Sequence, residues 1–247
     1  MNNLEKTKRK RLDLLLAEKK LAESQEKAQA LILAGLVFVN GQKITKAGTL
    51  FKQAEITIKK TLPFVSKGGI KLDAAINEFG VEIKGKTSLD IGSSTGGFID
   101  CLLKRGVKKA YGIDVGKKQL HYSLQKNPKV INFEGINAKK PFFLPEAVDI
   151  ITIDVSFISI MKVLTPSSFH LKAGGFLICL IKPQFEAEKN EITKKGTPKN
   201  KNVIKKSLEK VTNWLLRNKF SLIRTMPAPI TGSAKNQEFF FLLQKTS

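Results

Sequence analysis

A chain of 247 residues with 42% hydrophobic content can build one large domain, or a small and a medium one, around a real core, which excludes a mini-protein or a disordered tail. Lys and Arg number 43 against 21 Asp and Glu, a net charge of +22 that exceeds what solubility needs. Such a surplus points to a polyanionic partner, nucleic acid first, because each phosphate contact releases counterions whatever the base sequence. Only two cysteines, Cys101 and Cys179, and two histidines, His121 and His170, are present, so neither a disulfide framework nor a Cys/His metal site is expected to organise the fold. The basic start at residues 6–11 is followed by a short apolar run at 14–17, which does not make a secretory leader. The longest apolar stretches, 31–39 and 174–181, fall well short of the roughly 20 residues that cross a bilayer. A cytoplasmic protein without membrane insertion is therefore expected.

Residues 9–60 read as a small α+β unit. Leu12, Leu15 and Leu16 give a short amphipathic helix, and Ser24 is placed to cap a second over 25–34, with Ala28, Leu31 and Ile32 on one face. Gly35 stops that helix. Val37 and Val39 then alternate ahead of Asn40-Gly41, a hairpin dipeptide, and a last strand is expected at 56–58. This order, with Arg11-Leu12-Asp13 opening the first helix and Gly35-Leu36-Val37-Phe38-Val39-Asn40-Gly41 after the second, resembles the small RNA-binding module of ribosomal protein S-four. The resemblance implies RNA contacts from Lys8, Arg9, Lys10, Arg11, Lys27 and Lys43, to which Lys67 is added further along.

Residues 61–84 read as a linker and a helix over 70–79 leading into a catalytic domain at 85–247. There the pattern becomes alternating: strands are expected at 87–91, 109–114, 130–133, 149–155, 176–181, 221–226 and 238–243, with helices between them, the longest at 202–218. Alternation of this kind argues a mostly parallel sheet covered on both faces. Only residues 227–237 separate the last two strands, too few for a crossover helix, so these pair antiparallel. A seven-stranded, Rossmann-like α/β sheet ending in one reversed strand is the pattern of class I methyltransferases.

Leu89-Asp90-Ile91 runs into Gly92, Ser93, Ser94, Thr95, Gly96, Gly97 and Phe98, a strand, a glycine-rich turn and a helix start. Gly92 and Gly96 are expected to let backbone approach a ligand. The spacing differs from the Gly-x-Gly-x-x-Gly of dinucleotide sites and suits S-adenosylmethionine better, since that cofactor has no pyrophosphate to cradle. It needs one carboxylate near its amino-acid end, for which Asp90 serves, and another on the ribose hydroxyls, for which Asp114 closes the next strand. Asn137, after the third strand, falls where the adenine edge would lie, and Asp154, at the end of the fourth, where ligands of open α/β sheets bind.

Lys182 ends the fifth strand where a turn former is usual, and Pro183 fixes the stop. Together, Val65-Ser66-Lys67-Gly68-Gly69-Ile70-Lys71-Leu72, the glycine turn, Asp154-Val155-Ser156-Phe157-Ile158-Ser159, Lys182-Pro183-Gln184-Phe185-Glu186 and Asn236 to Phe240 resemble the TlyA family. Members of that family join the ribosomal-type module to an FtsJ-like 2′-O-methyltransferase domain that modifies ribosomal RNA, and are sometimes labelled haemolysins. The resemblance implies a catalytic Lys-Asp-Lys-Glu tetrad at Lys71, Asp154, Lys182 and Glu238, a cytidine acceptor, and ribosomal RNA or subunits as partner. Ile70 departs from the histidine that many relatives place there. A ribose 2′-hydroxyl is a weak nucleophile that must lose its proton as it attacks the sulfonium methyl. Lys182 is the expected base, with Lys71 as a neighbouring cation and Asp154 and Glu238 orienting its amine. Competing readings are a non-catalytic RNA-binding or ribosome-assembly factor and a haemolysin. A pseudouridine synthase is disfavoured, since Asp13 lies too near the start of the chain to be its catalytic acid.

Overall fold

Residues 9–33, 35–52, 54–58 and 62–245 are described by the computed structural model, and they divide into two units, Met1–Leu62 and Pro63–Ser247. Lys8 and Ala34, the expected end of the second helix, lie outside the described residues.

The smaller unit runs β1 (Lys10–Arg11), α1 (Leu12–Glu18), α2 (Gln25–Leu33), β2 (Val37–Val39), β3 (Gln42–Lys43), β4 (Leu50–Phe51) and β5 (Ile56–Ile58). Leu12, Leu16, Ala28, Ile32, Val37 and Val39 are buried together, so the helical face and the alternate strand positions read from the sequence form one core. Ser24 Oγ accepts from Lys27 N at 3.2 Å, as a cap should. Asn40 (φ +49°) and Gly41 (φ +78°) make the hairpin turn between β2 and β3, and β5 pairs antiparallel with the other edge of β2. The β1–β4 pair was not expected, its two-residue strands being too short to show a period. Asp13 is fully buried and accepts from Arg11 Nε (3.0 Å) and Nη2 (2.8 Å), Gln25 Nε2 (3.1 Å) and Gln29 Nε2 (2.8 Å). The Arg11 guanidinium, above all, holds this carboxyl well below the usual range. Arg11 is thus fixed in place with its side chain 47% exposed.

In the larger unit, α3 (Lys67–Phe79) packs on α4 (Gly97–Lys104), and seven strands build one sheet: β6 (Thr87–Ile91), β7 (Lys109–Asp114), β8 (Val130–Glu134), β9 (Val148–Ile153), β10 (Leu171–Ile181), β11 (Phe220–Pro227) and β12 (Phe239–Lys245). Their order is β11-β12-β10-β9-β6-β7-β8, and β12 alone is reversed, antiparallel to both neighbours. Consecutive residues of β10 alternate between two cores: Leu177, Cys179 and Ile181 face one layer, Ile178 and Leu180 the other. Both faces are covered, one by α3, α4 and the short α5 (Tyr122–Gln125), the other by α6 (Met161–Ser168) and α8 (Lys201–Arg217). The cysteines are core residues whose thiols burial pushes up, Cys101 to about 12.

Four details differ from what the sequence predicts. Helix α3 starts at Lys67 rather than 70, with Ser66 as its cap. A helix was expected between every pair of parallel strands, yet residues 135–147 carry none, because Gly135 is left-handed (φ +76°) and Pro141 and Pro145 interrupt the segment. Strand β10 begins five residues earlier than 176, with Leu171 paired to Val148 and a register shift before Phe176 around Gly174 (φ +74°). Strand β9 stops at Ile153 rather than 155, its last ladder bond to β6 running from Asp154 N to Ile91 O at 2.9 Å.

Candidate active site

The strand order reverses at β6, which lies between β7 on one side and β9 on the other, and open α/β sheets bind ligands at the carboxyl end of such a switch point. The glycine turn leaves β6 there. Gly92 is left-handed (φ +82°), and a Cβ on it would run into the backbone oxygen of Asp154, so glycine brings the ends of β6 and β9 together. Gly96 (φ +88°) departs from its expected role. It lines neither cavity described below, and a Cβ there would strike Leu124 and Leu120, so this glycine serves packing rather than ligand approach. Gly97 sits tight against Ser66 Oγ, which caps α3 by accepting from Gly68 N at 3.3 Å, and this locks α3 against the turn.

Two adjoining cavities open at this edge, sharing Gly92, Ser94 and Asp154. The smaller, about 140 Å³, is lined by Lys71, Asp90, Ser93, Thr95, Gly97 and Phe98 among others. The larger, about 490 Å³, is lined by Asp114, Asn137, Ser156 and Phe157. Asp114 Oδ2 accepts from Ser94 N (2.8 Å) and Oδ1 from Gly116 N (2.7 Å), so its carboxylate is held rigidly. Asn137 Oδ1 accepts from Lys139 N at 3.1 Å, capping its own loop while the residue also lines the cavity.

Asp90 is buried; Thr152 Oγ1 donates to its Oδ1 at 2.7 Å while Oδ2 finds no partner. Burial, with smaller contributions from Asp154 and Asp114, raises its carboxyl to about 8. An orphaned carboxylate oxygen beside a cavity is a ready partner for a cationic group. Because the folded value lies above the unfolded one, near 3.9, Asp90 should cost the ligand-free protein stability progressively as pH rises from about 4 to 8. Thermal unfolding across that range should show the wild type losing ground against Asp90→Asn. Parallel curves would mean that Asp90 is ionised throughout.

The four residues of the expected tetrad form two ion pairs. Lys71 on α3 donates to Glu238 Oε2 at 2.5 Å, with side chains only 10% and 3% exposed. Lys182, just past β10, has its Nζ 2.5 Å from Asp154 Oδ1 and donates to Ser156 Oγ at 2.8 Å. Lys71 and Asp154 line the same cavity. The expectation that Glu238 orients Lys182 is corrected: Glu238 bonds Lys71, and Lys182 is held by Asp154 and Ser156. Position explains the pairing, since Glu238 immediately precedes β12 under Gly232, where a Cβ would overlap its carboxylate.

Ser156, Phe157 and Gly232 escaped the sequence reading as site residues. Phe157 is left-handed (φ +64°), 91% exposed, and its ring centroid lies 5.1 Å from that of Phe185. A bulky residue held in that region is strained, and here it presents an aromatic face at the cavity rim. Only the flanking Asp154 and Ser156 hinted at it. Glu186 is buried and braces this loop by accepting from Ile160 N at 2.8 Å.

Of the expected RNA contacts, Arg9, Lys10, Arg11, Lys27 and Lys43 are exposed on the smaller unit, and Lys67 is exposed at the start of α3. Lys10 is paired with Glu18 at 2.8 Å.

A switch-point glycine turn, Asp90 one residue before the end of β6, Asp114 closing β7, and a seven-stranded sheet with one reversed strand define a class I methyltransferase. In agreement, residues 64–245 match the FtsJ-like methyltransferase family and residues 10–55 the S4 domain. The chain is 40% identical to Hemolysin A of Brachyspira hyodysenteriae, covering 93% of this chain and 97% of that protein. It is 31% identical to the 16S/23S rRNA (cytidine-2′-O)-methyltransferase TlyA of Mycobacterium tuberculosis, over 96% and 90%. A solved structure from Streptococcus thermophilus that carries the hemolysin designation superposes with a TM-score of 0.74 at 34% identity, over 98% and 90%. The chain belongs to the TlyA family, an S4 domain followed by an FtsJ-like methyltransferase domain.

Proposed function

We propose that this protein is a cytoplasmic, S-adenosylmethionine-dependent methyltransferase that modifies the 2′-hydroxyl of a cytidine in ribosomal RNA. The observation that carries the reading is the Lys182–Asp154 pair beside the two adjoining cavities, one edged by Asp90 and the other by Asp114. The donor set suits the cofactor: Asp90 Oδ2 would take the α-ammonium, Asp114 the ribose hydroxyls, and Asn137 the adenine edge, with residues 92–95, Gly97 and Phe98 shaping the floor. When bound, S-adenosylmethionine supplies an electrophilic sulfonium methyl. Asp154 and Ser156 fix Lys182 Nζ, the group that takes the 2′-hydroxyl proton as the oxygen attacks. The buried Lys71–Glu238 pair holds α3 against the start of β12, and Phe157, with Phe185 behind it, offers a stacking face for the acceptor base. The basic residues of the S4 domain capture RNA; residues 1–60 carry a charge of +7 and residues 61–247 a charge of +15, so both regions contribute. A membrane-inserting haemolysin gains no support from the fold, as no helix among the described residues is long and apolar enough to cross a bilayer.

Calorimetry provides the cofactor test: Asp114→Ala should bind S-adenosylmethionine at least tenfold more weakly than the wild type, on the scale of one lost charge-assisted hydrogen bond. Equal affinity would remove Asp114 from the site. For the reaction, the protein is incubated with methyl-labelled S-adenosylmethionine and unmodified ribosomal subunits. Label in RNA supports the reading; cofactor and RNA binding without transfer would make the protein a non-catalytic RNA-binding factor.

A further inference from the structure

Between the short helix α7 (Pro183–Glu186) and α8, the chain makes an excursion that the proposed reaction does not use. Residues 192–198 form a stiff hairpin: Ile192 bridges Pro198, Thr193 N donates to Thr197 O (2.8 Å), and Gly196 N donates to Thr193 O (2.9 Å). The two threonine hydroxyls meet at 2.7 Å, and Lys199 N closes the base on Glu191 O at 3.0 Å. Gly196 is left-handed (φ +74°), as a tight tip requires. This framework presents Lys194 and Lys195 side by side, both exposed and neither within an ion pair among the described residues.

The hairpin is also anchored. Asn236, 6% exposed, donates from Nδ2 to Gly196 O at 2.9 Å. Asn236 stands two residues before Glu238, and its own carbonyl accepts from Gly232 N at 2.9 Å, in the turn that packs over the Glu238 carboxylate. Nothing in the proposed chemistry needs Asn236 or two cations on a braced tip. A preformed backbone lowers the ordering cost of binding, and two ammonium groups on one tip are complementary in charge to a nucleic-acid backbone.

Resting on the RNA reading above, we propose that the 192–198 hairpin is a phosphate-docking element for the substrate RNA, which Asn236 holds in register with the segment carrying Glu238. Lys194 and Lys195 contact backbone phosphates beside the acceptor nucleotide. They position rather than specify, because phosphate contacts carry no sequence information.

The test compares wild type, Lys194→Ala/Lys195→Ala and Asn236→Ala for affinity to unmodified ribosomal subunits over a range of salt, and for turnover with S-adenosylmethionine. For the double variant we expect RNA affinity lower by on the order of tenfold near 0.1 M salt and a log–log salt slope shallower by about two, one per lost contact. The RNA KM should rise in proportion, with kcat at saturating RNA and S-adenosylmethionine affinity unchanged. Asn236→Ala, which keeps both cations, should raise KM with little change in slope. Wild-type affinity and slope in the double variant would overturn the docking role, and a wild-type KM in Asn236→Ala would overturn the anchoring. Because affinity is read without turnover, a wild type that binds RNA but transfers no methyl group would sink the enzymatic reading while leaving the docking result standing. A wild type that does not bind ribosomal subunits would overturn both.

Discussion

Lys182→Ala is expected to keep S-adenosylmethionine and RNA binding and to lose turnover by roughly two to four orders of magnitude, the scale of a positioned general base. The side chain stands past the end of β10, lines neither cavity, and reaches the site through Asp154 and Ser156. Its removal therefore takes no lining residue from either cavity, although Asp154 loses its cation. The loss has two possible origins, proton transfer or charge. Lys182→Arg separates them, because arginine keeps the charge and does not give up its proton at any accessible pH. If Lys182 is the base, the arginine variant should be almost as slow as the alanine one at saturating RNA. Substantial turnover by Lys182→Arg would leave Lys182 a positioning and electrostatic role only.

A second large effect is expected on stability. Glu238→Leu strips the partner from the Lys71 ammonium, whose side chain is only 10% exposed. An unpaired buried charge of this kind costs about 3–5 kcal/mol. For a domain of this size that lowers Tm by about 10 °C. The pair itself needs no such premium: burying two ions offsets most of their attraction, and replacing both by apolar groups is often neutral. Lys71→Met/Glu238→Leu should therefore recover most of the lost stability and none of the activity. Scanning calorimetry of the two variants decides the matter. A double variant as unstable as Glu238→Leu alone would show that the cost comes from strain around Gly232 rather than from the stranded charge.

Much of this architecture was legible because its signals are local. The fully buried run at β6 ends in a glycine turn, Asp90 stands one residue before the end of β6 and Asp114 closes β7, and Asn40-Gly41 announces its hairpin through backbone angles those residues favour. What escaped depends on contacts between distant parts of the chain. Glu238 meets Lys71 across 167 residues, so no spacing rule could assign it to Lys71 rather than Lys182. Gly92 lines both cavities and is also the point where β6 and β9 close on each other, which no local pattern shows, while Gly96 yields its space to Leu124. Phe157 reads as one more apolar residue after a strand; only its left-handed backbone and exposed ring mark it out. The early start of β10 needed Leu171 to find Val148 past a bulge that no alternation reveals.

The position of the transferred methyl group tests the account most directly. Ribosomal RNA labelled by the wild type is hydrolysed in alkali, which cleaves after every nucleotide that has a free 2′-hydroxyl. A 2′-O-methyl group blocks attack on the neighbouring phosphodiester, so the label should emerge in an alkali-resistant dinucleotide whose 5′ nucleoside is cytidine, and it should be missing when Lys182→Ala replaces the wild type. Label released in single nucleotides would place the methyl on a base and contradict a reaction built on deprotonating a ribose hydroxyl.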